Sequence, residues 1–420
     1  MTHALIRNAA AVRLTRSSFL VATACAAMGL LAPAAMAQPK PIRIGMPTAV
    51  QLQVGRDSQD AAKIAIDEIN AKGGVLGRKL ELVVADETEN PETGISAIKK
   101  LTADEKVDVL VGGYTSGVTL AQLPHISAAK TIYLNVGSAS PSTNAKVKTD
   151  YDNYKYIFRV GPLNAAHQAR EMTGFISGFV KGELGISKVA IVGENAKWVQ
   201  DLVPLLKKGA TEAGADIRTV EFFDAQTSDF SPLFSKVKES GAQYLVVVLS
   251  HASSDIFAKQ WADARFPMPY GGIDVKSMDG DFCDRIGGKS VGAVAGNFAV
   301  RAPLTAKTIP FFDEFRKRTN RAPVYTAFGA YDAVHIYAEA VKRANSTATD
   351  AVIKELEKTD HVGIPGVIQF DETHDVKPGS TGNKGPSLLF AQWRDGCKRK
   401  VVYPKAVKTA DFAYPAWIKK

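Results

Sequence analysis

The 420-residue chain is poor in the side chains that most often carry chemistry. It has three cysteines and seven histidines. No Cys-x-x-Cys occurs, and no two histidines stand as a ligand pair at helical spacing, so a zinc site has no framework. Cys25 lies near the N-terminus, which leaves Cys283 and Cys397. Those two could pair in an oxidising compartment or stay apart, but two cysteines over this length are no disulfide framework. No basic stripe is interleaved with aromatics, which excludes a nucleic-acid partner. Acids are missing from the first 37 residues. That stretch has Arg7, Arg13 and Arg16, an apolar run Phe19–Leu31, and the small-x-small site Ala35-Met36-Ala37. It reads as a signal peptide over residues 1–37, with the mature chain starting at Gln38 and exported to the periplasm. Gly29 and Pro33 make the run a poor membrane span. A lipid-modified Cys25 is disfavoured, because Ala22 sits where that signal wants a larger apolar residue.

Catalytic motifs are also lacking. Gly288-Lys289-Ser290-Val291-Gly292 matches G-x-S-x-G, but that elbow needs a strand before the serine and a helix after it. Here a loop precedes and a strand follows. Cys283 stands where a phosphate-binding loop needs its first glycine. The acids are scattered and suggest no carboxylate pair. No enzyme and no cofactor is expected. Of the formal charge of +9, three units are the leader's arginines; the rest is spread out and reads as a solvated surface.

What is present is a repeated alternation of strand and helix. Strands are expected at Ile42–Pro47, Leu80–Ala85, Val109–Gly112 and Thr131–Val136. A helix over Val54–Lys72 and one from Pro91 to about Asp104 lie between them. The pattern resumes with Lys188–Val192, Ile217–Phe223 and Tyr244–Leu249. Their helices are Ala165–Val180, Trp198–Ala213, Asp229–Ser240 and Ser254–Ala264. Ala293–Val300 is the next strand. Helices follow at Pro310–Asn320, Tyr325–Ala344 and Asp350–Glu357, and extended segments at Val362–Phe370 and Leu388–Trp393. The tail beyond Cys397 fits no element. This alternation predicts an α/β fold with mostly parallel sheets covered on both faces.

The stretch Val109–Asn144 organises the rest. It reads as strand, Gly-rich turn, helix, strand and Gly/Ser-rich turn. In a parallel sheet both turns lie at the carboxyl ends of strands, where open α/β sheets bind ligands. Thr115 or Ser116 is placed to cap the helix, whose N-terminus suits a small anion such as a carboxylate. An ordinary βα loop is the plain alternative.

Ile69-Asn70-Ala71-Lys72-Gly73-Gly74-Val75-Leu76-Gly77-Arg78-Lys79-Leu80, the Gly112–Thr119 turn and Gly137–Pro141 resemble the Leu/Ile/Val-binding family. These are type I periplasmic substrate-binding proteins of ABC transporters. The resemblance runs from about Pro41 to Gly396. It implies two Rossmann-like lobes joined by three crossovers, near Arg159–Gly161, Asn297–Ala302 and Phe370–Asp375. Lobe 1 would be residues 40–160 plus 302–370, and lobe 2 residues 161–301 plus 371–396, with 397–420 a tail. The expected function is a monomeric receptor. It closes on a small carboxylate-bearing solute, an apolar amino acid above all, and docks on an inner-membrane permease. A binder of an aromatic acid or amide, or a sensor on the same fold, is the alternative.

By matching position, Ser116 would bind the solute carboxylate, helped by backbone groups of Ser138 and Ala139. Asp274 would take the ammonium, or else be a solvated loop acid. Trp198 would wall the side-chain pocket, or else be a core residue. Ser250 stands where the family often has Tyr. His251 would line the cleft or cap the next helix. Tyr114 and Tyr325 are aromatic at pocket-facing turns.

Overall fold

The computed structural model describes residues 39–379 and 384–419. The leader, Cys25 and the Gln38 start site lie outside the described residues.

Five strands form the first sheet: β1 (Ile42–Thr48), β2 (Leu80–Asp86), β3 (Val109–Gly112), β4 (Tyr133–Asn135) and β5 (Ile157–Arg159). Their order is β2-β1-β3-β4-β5 and every pair is parallel. The second sheet starts with β6 (Lys188–Glu194), β7 (Asp216–Phe223), β8 (Tyr244–Leu249), β9 (Tyr270–Asp274) and β10 (Val294–Asn297). The chain then returns to the first half for two long helices and a small hairpin, β11 (His361–Val362) with β12 (Val367–Ile368). It ends in the second sheet with β13 (Leu389–Arg394) and β14 (Lys398–Tyr403). The order there is β14-β13-β10-β9-β8-β6-β7, with β13 and β14 antiparallel. The fold is thus α/β with mostly parallel sheets. Three segments carry the chain between the halves: after β5, after β10, and between β12 and β13.

Composition explains the layers. β8 is buried along its whole length, as a central parallel strand covered on both faces must be. The helix Gln53–Ala71 buries Ala61, Ala62, Ile64, Ala65 and Ile69 against the helix Tyr325–Ala344. Small residues on both let the axes approach closely. Gly73 and Gly74 end the first helix with positive φ. Gly329 presses the long C-terminal helix onto the turn after β4: a Cβ there would come within 2.8 Å of the Val136 Cβ. That contact seats Tyr325 over the turn.

Two details differ from the sequence reading, and one open alternative is decided. The extended segment Val362–Phe370 is the β11–β12 hairpin, because Ile364–Gly366 turns the chain back. The tail has a place: β14 is the edge strand, and Trp417 beyond it donates to the Phe266 carbonyl at 2.9 Å. Cys283 and Cys397 form a disulfide, with Cα atoms 5.4 Å apart.

Candidate functional site

A cavity of about 210 Å³ lies between the two sheets. Nearly all its wall comes from loops that follow the carboxyl ends of strands. Tyr114–Val118 follow β3, and Gly137 and Ala139 follow β4. From the other half, Asn195–Trp198 follow β6, Ser250 and His251 follow β8, and Val275 and Met278 follow β9. Phe298 follows β10, and Tyr325 opens the long helix. This is where open α/β sheets build binding sites.

On the first wall Ser116 begins the helix Ser116–Ala128, with Thr115 as its N-cap. Neither hydroxyl caps the helix; the expected capping bond is absent. The first N–H groups of a helix have no intrahelical partner, so here they and the positive end of the dipole meet the cavity. Ser116 Oγ reaches sideways instead. It accepts from the backbone N–H of Ala139 at 3.2 Å and of Ser140 at 3.0 Å. A hydroxyl that accepts twice still has its own proton to donate.

The turn after β4 is held internally. Asn135 Oδ1 accepts from the N–H groups of Gly137 and Ser138. Tyr325 donates to the Gly137 carbonyl at 3.1 Å, and Ala165 N–H to the Ala139 carbonyl at 2.8 Å. Arg159 is fully buried and donates to the carbonyls of Ser138 and Ser140. Its Nε pairs with Asp375 at 2.9 Å, whose other oxygen accepts from Asn164 at 2.9 Å. A buried charge needs this density of partners. Ser138 is not on the cavity wall, and the backbone N–H groups of Ser138 and Ala139 donate within the protein, to Asn135 and Ser116.

The opposite wall is aromatic and titratable. Trp198 is 9% exposed and donates from Nε1 to Ser250 Oγ at 3.2 Å. Ser250 donates in turn to Glu194, which also accepts from the His251 backbone N–H at 3.0 Å. His251 Nδ1 lies 2.8 Å from the same carboxylate. Burial is the largest influence on each and opposes both charges, but the hydrogen bonds and opposite charges around them together outweigh it: the His251 pKa lies above its ordinary value and the Glu194 pKa below. The two walls touch. Tyr114 donates to the Ser250 carbonyl at 3.2 Å, and Ser140 Oγ to Asp201 at 2.6 Å. Glu89 stands 3.8 Å from His251 Nε2 across the gap.

Asp274 is not on the wall; its neighbours Ile273 and Val275 are. Its Oδ1 accepts from Ser254 Oγ at 2.6 Å and from the N–H groups of Lys276 and Ser277. The carboxylate thus starts the turn after β9 instead of facing the cavity. Burial pushes its pKa up to about 7, against the pull of Ser254 and Ser277. Of the residues singled out in the sequence, Tyr114, Ser116, Ala139, Trp198, Ser250, His251 and Tyr325 share the cavity. The sequence reading missed Glu89, Gln168, Glu194, Lys197, Met278 and Phe298. Glu194 alone had a signal, an acid at the end of an apolar strand. Among the described residues no group of His, Cys, Asp or Glu is arranged to hold a metal, and no helix is long and apolar enough to cross a membrane.

A family model described as periplasmic binding protein matches residues 41–396. Leu/Ile/Val-binding protein homolog 1 of Brucella abortus is 25% identical over 372 residues, 86% of this chain and 92% of that protein. The leucine-, isoleucine-, valine-, threonine-, and alanine-binding protein of Pseudomonas aeruginosa is 25% identical over 336 residues, 77% of this chain and 83% of its own. Two solved structures show the same fold. The branched-chain amino acid transporter substrate binding protein LivJ of Streptococcus pneumoniae, in complex with isoleucine, has a TM-score of 0.73 at 22% identity. It covers 87% of this chain and 100% of its own. A solute binding protein of an ABC transporter from Rhodopseudomonas palustris, in complex with 3,4-dihydroxy benzoic acid, has a TM-score of 0.71 at 21% identity. It covers 84% of this chain and 93% of its own. The chain belongs to the periplasmic binding protein family, and the relatives named here are substrate-binding transport proteins rather than enzymes.

Proposed function

We propose that the chain is the periplasmic solute receptor of an ABC importer, and that its cavity takes a small carboxylic acid with an apolar or aromatic body. One observation carries this reading. The uncapped start of the helix at Ser116 faces a cavity whose other walls are Tyr114, Trp198, Phe298 and Tyr325. The carboxylate sits at the helix N-terminus and accepts from the Ser116 hydroxyl. The rings bury the body of the solute. Residues 40–160 with 302–370 act as one lobe and 161–301 with 371–396 as the other. Tyr114 with Ser250, and Ser140 with Asp201, latch them closed. The closed, monomeric receptor then docks on its permease in the inner membrane.

An α-amino acid is the second reading. The named relatives favour it, and Glu89 is a carboxylate on the wall. Mass spectrometry of solute released from denatured, purified protein tests both. A small carboxylic acid supports the proposal. A sugar, a polyamine or an inorganic ion overturns it.

A further inference from the structure

One residue of the cavity wall carries a buried side-chain oxygen that has no partner among the described residues. Gln168 lines the cavity from the helix Ala165–Phe175 and is 2% exposed. Its Nε2 donates to the Leu163 carbonyl at 2.6 Å. That bond fixes the amide, because the flipped rotamer would set two acceptors against each other. Its Oε1 is buried and has no hydrogen-bond partner among the described residues. Buried amide oxygens are normally satisfied.

The neighbouring acceptors are committed. The carbonyls of Gly137, Ala139 and Ser250 accept from Tyr325, Ala165 and Tyr114. The Glu194 carboxylate is filled by Ser250 and His251. Asp274 is off the wall. Glu89 lies on the loop after β2 and faces His251. A single neutral acceptor suits a neutral donor. An ammonium has three protons to place, and burying it against one amide oxygen leaves its charge uncompensated.

We infer that Gln168 is a specificity-determining residue, and that its Oε1 accepts a hydrogen bond from a hydroxyl on the carboxylic-acid solute. The inference rests on the carboxylate reading above and narrows it. The Ala165 N–H to Ala139 carbonyl bond ties the Gln168 helix to the turn beside Ser116, so one rigid frame holds both contacts. A site that keeps a buried acceptor for a hydroxyl rejects the analogue that lacks it, since the acceptor is then dry and unpaired.

Isothermal titration with matched probes tests this. One set is benzoate with 3- and 4-hydroxybenzoate; the other is 3-phenylpropanoate with 3-phenyllactate and phenylalanine. In at least one set the wild type binds a hydroxy acid about tenfold or more tighter than its deoxy partner, the scale of one hydrogen bond. Phenyllactate also outbinds phenylalanine. Gln168→Met removes the hydroxyl preference and leaves the deoxy acid within about threefold. Equal binding of hydroxy and deoxy acids by the wild type overturns the inference while sparing the carboxylate reading. So does a preference that survives in Gln168→Met, or phenylalanine binding tighter than phenyllactate. Failure of every acid in both sets overturns the carboxylate reading and the inference with it. The wild-type comparisons stand even if the variant does not fold.

Discussion

The two walls of the cavity are built on opposite principles. The wall at Ser116 and the turn after β4 is made of backbone, hydroxyls and one buried guanidinium, with the turn bonded within the protein and the helix start left open to the cavity. The wall at Trp198, Ser250 and His251 is made of rings and a titrating pair. The first is braced by hydrogen bonds within the protein. The second carries His251 and Glu194: against burial, their bond raises the pKa of one and lowers that of the other.

The largest break in this contrast comes from Arg159. Arg159→Met leaves Asp375 buried without its cation and the Ser138 and Ser140 carbonyls without their donor. We expect a loss of about 3–5 kcal/mol of stability by urea denaturation. Arg159→Lys recovers only part of it, since one ammonium cannot span both carbonyls and the carboxylate. Unchanged stability in Arg159→Met would mean the turn supports itself.

Ser116→Ala comes next. It removes the hydroxyl proposed to meet the carboxylate, and the acceptor of two backbone N–H groups. Titration calorimetry with the identified solute should show a loss of about 1–3 kcal/mol. Denaturation should show a smaller loss, because those N–H groups lose their partner. Equal affinities would confine Ser116 to bracing the turn.

On the other wall the expected effect is a pH dependence. His251 has a raised pKa, so the folded protein holds its proton more tightly than the unfolded chain. Its stabilisation is complete below the ordinary His value of about 6.5 and is lost as pH rises through the folded pKa. Glu194 has a lowered pKa, so its contribution is present above the ordinary Glu value and lost as pH falls through its folded pKa. The melting temperature of the wild type should therefore fall as pH rises above about 6.5, with His251 contributing part of the fall. His251→Gln should fall less across that window. Parallel curves for the two proteins would show that His251 titrates as if exposed.

Asp274→Asn should do least to binding, within about 0.5 kcal/mol, because nothing on the wall is removed. Its pKa of about 7 means the folded protein prefers the protonated form, so its stabilisation is lost as pH rises from about 4 to 7. Asn mimics that form and keeps the acceptor for Ser254. At pH 8 the variant should be as stable as the wild type or about 1 kcal/mol more so. A loss of several kcal/mol in solute affinity would place the carboxylate in the cavity after all.

The order of elements was legible because period and punctuation carry it. Val109–Gly112, the turn and the helix beginning at Ser116 follow from an apolar run, two glycines and a hydroxyl. Partners distant in sequence were not legible. Asp274 has the position of a ligand acid, at the end of a strand, but Ser254 claims it from a helix that begins near residue 253. Arg159 closes an apolar strand, and the acid that neutralises it lies 216 positions away. Gln168 is one polar residue among many on a helix until the Leu163 carbonyl fixes its amide. Lys398–Tyr403 hid as a strand because an edge position lets polar residues face water.

That edge strand bears on how the protein is handled. The family match stops at residue 396, before β14 begins. A chain cut there would lose Cys397, bare the backbone of β13, and uncover the Trp261 ring now packed 4.8 Å from Trp417. Open strand edges recruit other strands, so the shortened chain is expected to aggregate more readily than the full one. A tag or label added at the C-terminus starts from this strap and must leave it in place.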